Sequence, residues 1–169
     1  MNGFVASALC LTCLMQPNLF LTNTITKTEA MQVPDIDSSF KSWMDYRTIT
    51  NEESEQWKMQ QNATTDEDGF RKYNDMYMVA LGTYYSEVCG EEFYITLDTG
   101  ECLKCITGDI KNDNHTDALN QYVEINGNIV EFIVDSEVVD KSVLITGDIS
   151  SASDKFIGNV KSIEKINTG

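Results

Sequence analysis

From residue 70 onward the chain is written as short apolar or alternating runs, each closed within a few residues by Gly, Asn or Asp. This punctuation constrains the fold more than any other feature. Met76-Tyr77-Met78-Val79-Ala80-Leu81 is a compact apolar run that stops at Gly82. Glu92–Leu97 alternates with period two, and Asp98-Thr99-Gly100 turns the chain into Cys102–Thr107, a hairpin signature. Val123–Ile125, the turn Asn126-Gly127 and Asn128–Val134 follow, then Ser142–Thr146 and Asn159–Ile166. Six or seven strands without a long amphipathic helix predict an all-β domain over residues 70–169. Closing it into a small barrel would remove the open sheet edges. Residues 31–69 read as a polar N-terminal extension. Asn51 is a candidate N-cap for a short helix around Glu52–Lys58, Asp66-Glu67-Asp68-Gly69 is a turn, and Trp43 and Trp57 are candidate anchors.

The opening thirty residues behave differently. Residues 1–26 carry no charged side chain, and Gly3–Met15 is apolar or small throughout. That run is too short for a bilayer span and has the length of a secretory h-region. Thr28-Glu29-Ala30 offers a small residue before Met31, so residues 1–30 are expected to be a signal peptide or hydrophobic leader, with cleavage after Ala30. The n-region lacks Lys and Arg. Cys10 and Cys13 follow Leu9 and Thr12, which does not fit lipidation. Export to the extracellular space or cell envelope is expected, with no stable membrane span once the leader is gone.

With 12 Lys+Arg against 27 Asp+Glu, the net charge is −15. No basic stripe exists to displace counterions from a nucleic acid, and charge-driven docking on anionic lipid is equally disfavoured. Three cysteines remain beyond the leader, Cys89, Cys102 and Cys105. An odd number is not a disulfide framework, and the single Cys102-Leu103-Lys104-Cys105 lacks the second pair a zinc ribbon needs. They read as core cysteines, with one structural disulfide and redox chemistry as the alternatives.

Chemistry concentrates in Gly108–Asp117, which holds three aspartates, two asparagines and the only histidine. Three readings stand for it. It is a solvated loop; or Asp109 and Asp117 pair so that one acts as a general acid; or Asp113, His115 and Asp117, if extended, share a side and ligate a metal. Asn62-Ala63-Thr64 and Asn114-His115-Thr116 also fit the N-glycosylation pattern.

Val79-Ala80-Leu81-Gly82, Gly90–Ile95, Leu97–Gly100 and Gly108-Asp109-Ile110-Lys111…Asn114-His115-Thr116-Asp117 together resemble the three-aspartate ("3D") domain of exported bacterial cell-wall proteins. That domain is a double-psi β-barrel shared with MltA-type lytic transglycosylases and, more loosely, RlpA-like proteins. Leu81-Gly82-Thr83 stands where the family's first aspartate would be. The resemblance implies a small six-stranded double-psi barrel that acts on peptidoglycan or another wall glycan as a monomer. It makes Asp117 the general acid/base and Asp109 the residue that tunes it, with Lys111, Asn114 and His115 on the substrate. No cofactor is implied and no metal ligand is assigned. The alternative is a non-catalytic barrel that binds glycan or a protein partner.

Overall fold

The computed structural model describes residues 27–167. The expectation for residues 1–26 lies outside the described residues. The next five form strand β1 (Lys27–Met31), paired antiparallel with β9 (Val160–Asn167) from Lys27↔Asn167 to Met31↔Ile163. A cut after Ala30 would therefore remove four of the five residues of a paired strand.

The chain is mostly β, 35% strand against 18% helix. Along the chain come β2 (Trp43–Asp45), helix α1 (Glu55–Gln61), β3 (Thr64–Thr65), β4 (Arg71–Tyr73), β5 (Met76–Leu81), β6 (Glu92–Leu97), β7 (Cys102–Ile110), β8 (Glu131–Val134), α2 (Lys141–Thr146) and β9. They form one mixed sheet in the order β1-β9-β6-β7-β5-β4-β3, with β8 also on β5 and β2 on β8. Most pairs are antiparallel; β5–β7 and β2–β8 are parallel.

This corrects the expected six-stranded closed barrel. Nine strands pair, and among the described residues no ladder joins the ends of the sheet. Two expected strands do not form. Ser142–Thr146 lies in α2, because the Asp140 carboxylate accepts from Ser142 N at 2.7 Å and Gly147, at φ 74°, ends the helix. Val123–Ile125 is reduced to one bridge, Val123↔Asn128, across the Asn126-Gly127 turn. Further strands come from residues 27–69, which share the sheet with everything after residue 70.

The two faces of β5 divide the core. Val79 and Leu81 join the main cluster with Phe93, Ile95, Leu97, Phe132 and Ile163, which are all essentially inaccessible. Phe70 and Phe156 stack at 4.8 Å within it, and Trp43 packs against it while donating Nε1 to the Val143 carbonyl at 3.2 Å. Each fully buried large side chain contributes about 1.5–3 kcal/mol of transfer free energy. Met76 and Met78 face the other way, into a small cluster with Ile106 and Ile133.

Helix α1 covers this second cluster. Ser54, rather than Asn51, is its N-cap and accepts from Trp57 N at 3.1 Å; Asn51 holds the preceding turn by accepting from Ser54 Oγ at 2.6 Å. Its C-terminal end is fixed by Arg71 on β4. The guanidinium donates to Gln60 Oε1 (2.9 Å), the Gln60 carbonyl (2.8 Å), the Ala63 carbonyl (3.1 Å) and Thr65 Oγ1 (2.9 Å), and its centre sits 4.3 Å from the Tyr46 ring centroid. A buried cation is thus satisfied by neutral acceptors and a ring face.

Candidate functional site

The polar end of the α1-covered face is created by an irregularity in β7. Tyr77, Met78 and Val79 pair in step with Cys105, Ile106 and Thr107, but Ala80 pairs with Asp109, so Gly108 is an extra residue. A Cβ at Gly108 would press on Met78 Cε at 2.7 Å and Ile133 Cδ1 at 2.9 Å, which places it over the small cluster. In an unbroken strand Asp109 would point to the opposite face from Ile106. The bulge turns it onto the same face, and Lys111, two residues on, follows it. The expected end of this strand at Thr107 is therefore extended to Ile110.

Asp109, Ala80 and Glu131 lie in one row across β7, β5 and β8. Two strand spacings separate the carboxylate-bearing residues, about 10 Å between Cα atoms, with the buried Ala80 between them. Asp109 Oδ1 accepts from Gln56 Nε2 of α1 at 3.4 Å and from Ile110 N at 2.9 Å. Burial raises its pKa above the ordinary carboxylate value, Glu131 adds to this, and the two hydrogen bonds and Lys111 only partly offset it. Glu131 Oε1 accepts from Ser42 Oγ at 3.1 Å. Lys111 is 8% exposed, and burial pushes its pKa down to about 8 against the pull of Glu131 and Asp109.

Two clefts open at this end. Asp109 lines one of about 430 Å³ with Gln56, Ser54, Asn51 and Met44. Lys111, His115, Asn112, Asn128, Ser42 and Glu131 line another of about 380 Å³. Of the sequence-derived set, Asp109, Lys111 and His115 thus stand at these clefts. Asn114 is exposed on a 3₁₀ turn and lines neither.

Asp117 is engaged elsewhere. Its carboxylate accepts from the backbone N–H of Gln121 (2.6 Å), Tyr122 (3.0 Å) and Leu119 (3.1 Å). Slight burial opposes ionisation, but these bonds outweigh it and hold the carboxyl below its ordinary value. A group held ionised in this way is a poor general acid. It ties a turn whose Asn120 carbonyl occupies the space a Cβ at Gly82 would need.

The extended Asp113/His115/Asp117 ligand set does not form either. Asp113–His115 is a 3₁₀ turn capped by Asn112, which breaks the side-to-side alternation, and Asp113 Oδ1 accepts from Thr83 Oγ1 at 2.7 Å. Among the described residues no three His, Cys, Asp or Glu side chains gather as metal ligands.

Among the described residues the three cysteines, Cys89, Cys102 and Cys105, are free. Cys102 and Cys105 are three apart on β7, so one faces out and the other in, and they cannot bridge. Burial pushes Cys105 up to about 12. Cys89 is raised to about 11 by burial, with Asp109 and Glu55 adding to it.

Sequence reasoning missed Gln56, Glu131 and Ser42, which reach the site only through tertiary pairing. One local signal was available: a glycine inside a strand marks a bulge, and Gly108 is that glycine. In comparisons with family models, characterised proteins and solved structures, nothing matches the chain.

Proposed function

We propose that the protein cleaves a wall glycan by lytic transglycosylation, with Asp109 as its acid/base, after export to the cell envelope. The observation that carries this is the bulge-directed placement of Asp109 in a partly dry site at the edge of an open cleft, where burial raises its pKa above the ordinary carboxylate value. A carboxyl of that kind can protonate a glycosidic oxygen as the bond to the anomeric carbon breaks. The resulting carboxylate then takes the proton from the sugar 6-hydroxyl as that oxygen closes on the anomeric carbon, leaving a 1,6-anhydro ring. No separate nucleophile is needed.

The resemblance to the three-aspartate double-psi barrel rests on Val79–Gly82, Gly90–Ile95, Leu97–Gly100 and Gly108–Asp117. The acid role, however, falls to Asp109, because Asp117 is occupied with its turn. Lys111 and His115 are the substrate contacts, peptidoglycan or a similar wall glycan is the partner, and the protein works as a monomer.

Incubation of the purified chain with insoluble cell walls tests this. Soluble anhydro-muropeptides are expected from wild type and none from Asp109→Asn. Equal, background-level release from both proteins would overturn the enzymatic reading. Retention on the walls without release would identify a non-catalytic glycan-binding module instead.

A further inference from the structure

Among the described residues two lysines are almost wholly buried, and they differ in one respect. Lys41 is 1% exposed, and its Nζ donates to the carbonyls of Ser39 (2.9 Å) and Gly158 (2.6 Å), as a structural ammonium should. Lys111 is 8% exposed, yet among the described residues its Nζ has no hydrogen-bond acceptor and no carboxylate within 4 Å. Every fully buried side-chain nitrogen or oxygen in the described residues is satisfied. The Lys111 nitrogen therefore keeps a narrow opening, and it faces the 380 Å³ cleft that it lines.

We infer that Lys111 is a carbonyl-reactive amine and that its cleft takes a small, uncharged, hydroxylated aldehyde or ketone, held as an imine. Asn112 and Asn126, both exposed on the cleft, supply side-chain amides for such a molecule, while Ser42 and Asn128 are bonded to each other and, through Ser42 Oγ, to Glu131. Glu131 in the same cleft and Asp109 nearby disfavour an anionic ligand such as a phosphorylated sugar. The lowered basicity of Lys111 leaves about a tenth of it as free amine at pH 7, against less than about 0.1% for an exposed lysine.

In the reaction the nitrogen lone pair attacks the carbonyl carbon and a C–N bond forms. The carbonyl π pair moves to oxygen, which takes up a proton while the nitrogen loses one. Glu131 or His115, both on the cleft, then protonates the carbinolamine oxygen. Water leaves, the nitrogen pair forms C=N, and the last N–H proton returns to the carrier. Amine plus carbonyl give imine plus water, with no oxidant or reductant.

The inference does not rest on glycan cleavage by Asp109, although it uses the Lys111 and His115 proposed as glycan contacts, and its test reads lysine labelling rather than wall release. The full chain is treated at pH 7 with limiting glycolaldehyde and sodium cyanoborohydride, which reduces the imine to a stable amine, and labelled lysines are mapped by peptide mass. Lys111 is expected to label at least about tenfold faster than exposed Lys58 and Lys104, because its larger free-amine fraction outweighs its restricted access. Its rate should reach half-maximum near pH 8, while theirs climbs toward pH 10. Lys41 should stay unlabelled. Labelling of Lys111 no faster than of Lys58, or parallel labelling of Lys41 that reports general opening, would overturn the inference.

Discussion

Asp117 separates a catalytic from an architectural role, and Asp117→Ala is the sharpest perturbation for doing so. The substitution removes an acceptor shared by three backbone N–H groups, at 2.6, 3.0 and 3.1 Å. A net contribution of about 0.5–1.5 kcal/mol per bond gives an upper range of about 1.5–4.5 kcal/mol. The carboxylate is mostly solvated, so water replaces part of each bond, and about 2 kcal/mol is the reasoned expectation. For a domain of this size that lowers Tm by roughly 5–8 °C. The pH dependence has a defined sign. The folded-state pKa lies below the unfolded one, so the stabilisation is present above the unfolded value near 3.8 and is lost as pH falls through the folded value. Thermal melts followed by circular dichroism between pH 3 and 8 should show a constant gap between wild type and Asp117→Ala above pH 5, shrinking below pH 4. Asp117→Asn, which keeps one acceptor oxygen, should fall between the two and retain wall-release activity within a few-fold. Unchanged melting of Asp117→Ala, or loss of activity in a normally stable Asp117→Asn, would refute the architectural role.

Two further substitutions probe the frame around Asp109. Arg71→Lys keeps the charge but cannot make the four forked bonds or cover the Tyr46 ring, so a loss of about 2–3 kcal/mol is expected in urea unfolding. Wall-release activity should fall with it, because α1 carries Gln56; an unchanged urea midpoint would count against the clamp. Gln56→Ala removes a donor that favours the ionised form of Asp109. The pKa of Asp109 should rise further, so the alkaline fall-off in wall-release activity should move to higher pH, and a fall-off that stays put or moves to lower pH would contradict the assignment.

Much of the strand pattern was legible because strands and turns declare themselves locally. The alternation of Glu92–Leu97, its Asp98-Thr99-Gly100 turn and the run Met76–Leu81 all appear as β6, a tight turn and β5. Ser142–Thr146 was not legible, since Val143, Leu144 and Ile145 suit either a strand or one turn of helix. Asp140 and Gly147 at its ends decide for the helix. The apparent catalytic pair was half legible: Asp109 and Asp117 are the same residue type within one ten-residue segment. Three backbone N–H groups occupy one of them, while α1 and β8 surround the other.

The sequence by itself determined the β-rich class, the acidic charge and the segment in which polar and titratable side chains concentrate, because composition and short-range periodicity are properties of neighbouring residues. Tertiary structure alone decided that the sheet stays open among the described residues, since its outer strands β1, β2 and β3 each pair on one side only and not with one another. It also decided which of the two carboxyls is partly buried at a cleft and which is held by backbone N–H groups. One extra residue at Gly108 turns Asp109 onto the face it shares with Glu131 and Lys111. Strand periodicity is two, so a single inserted residue exchanges buried for exposed and joins groups that no spacing in the sequence brings together.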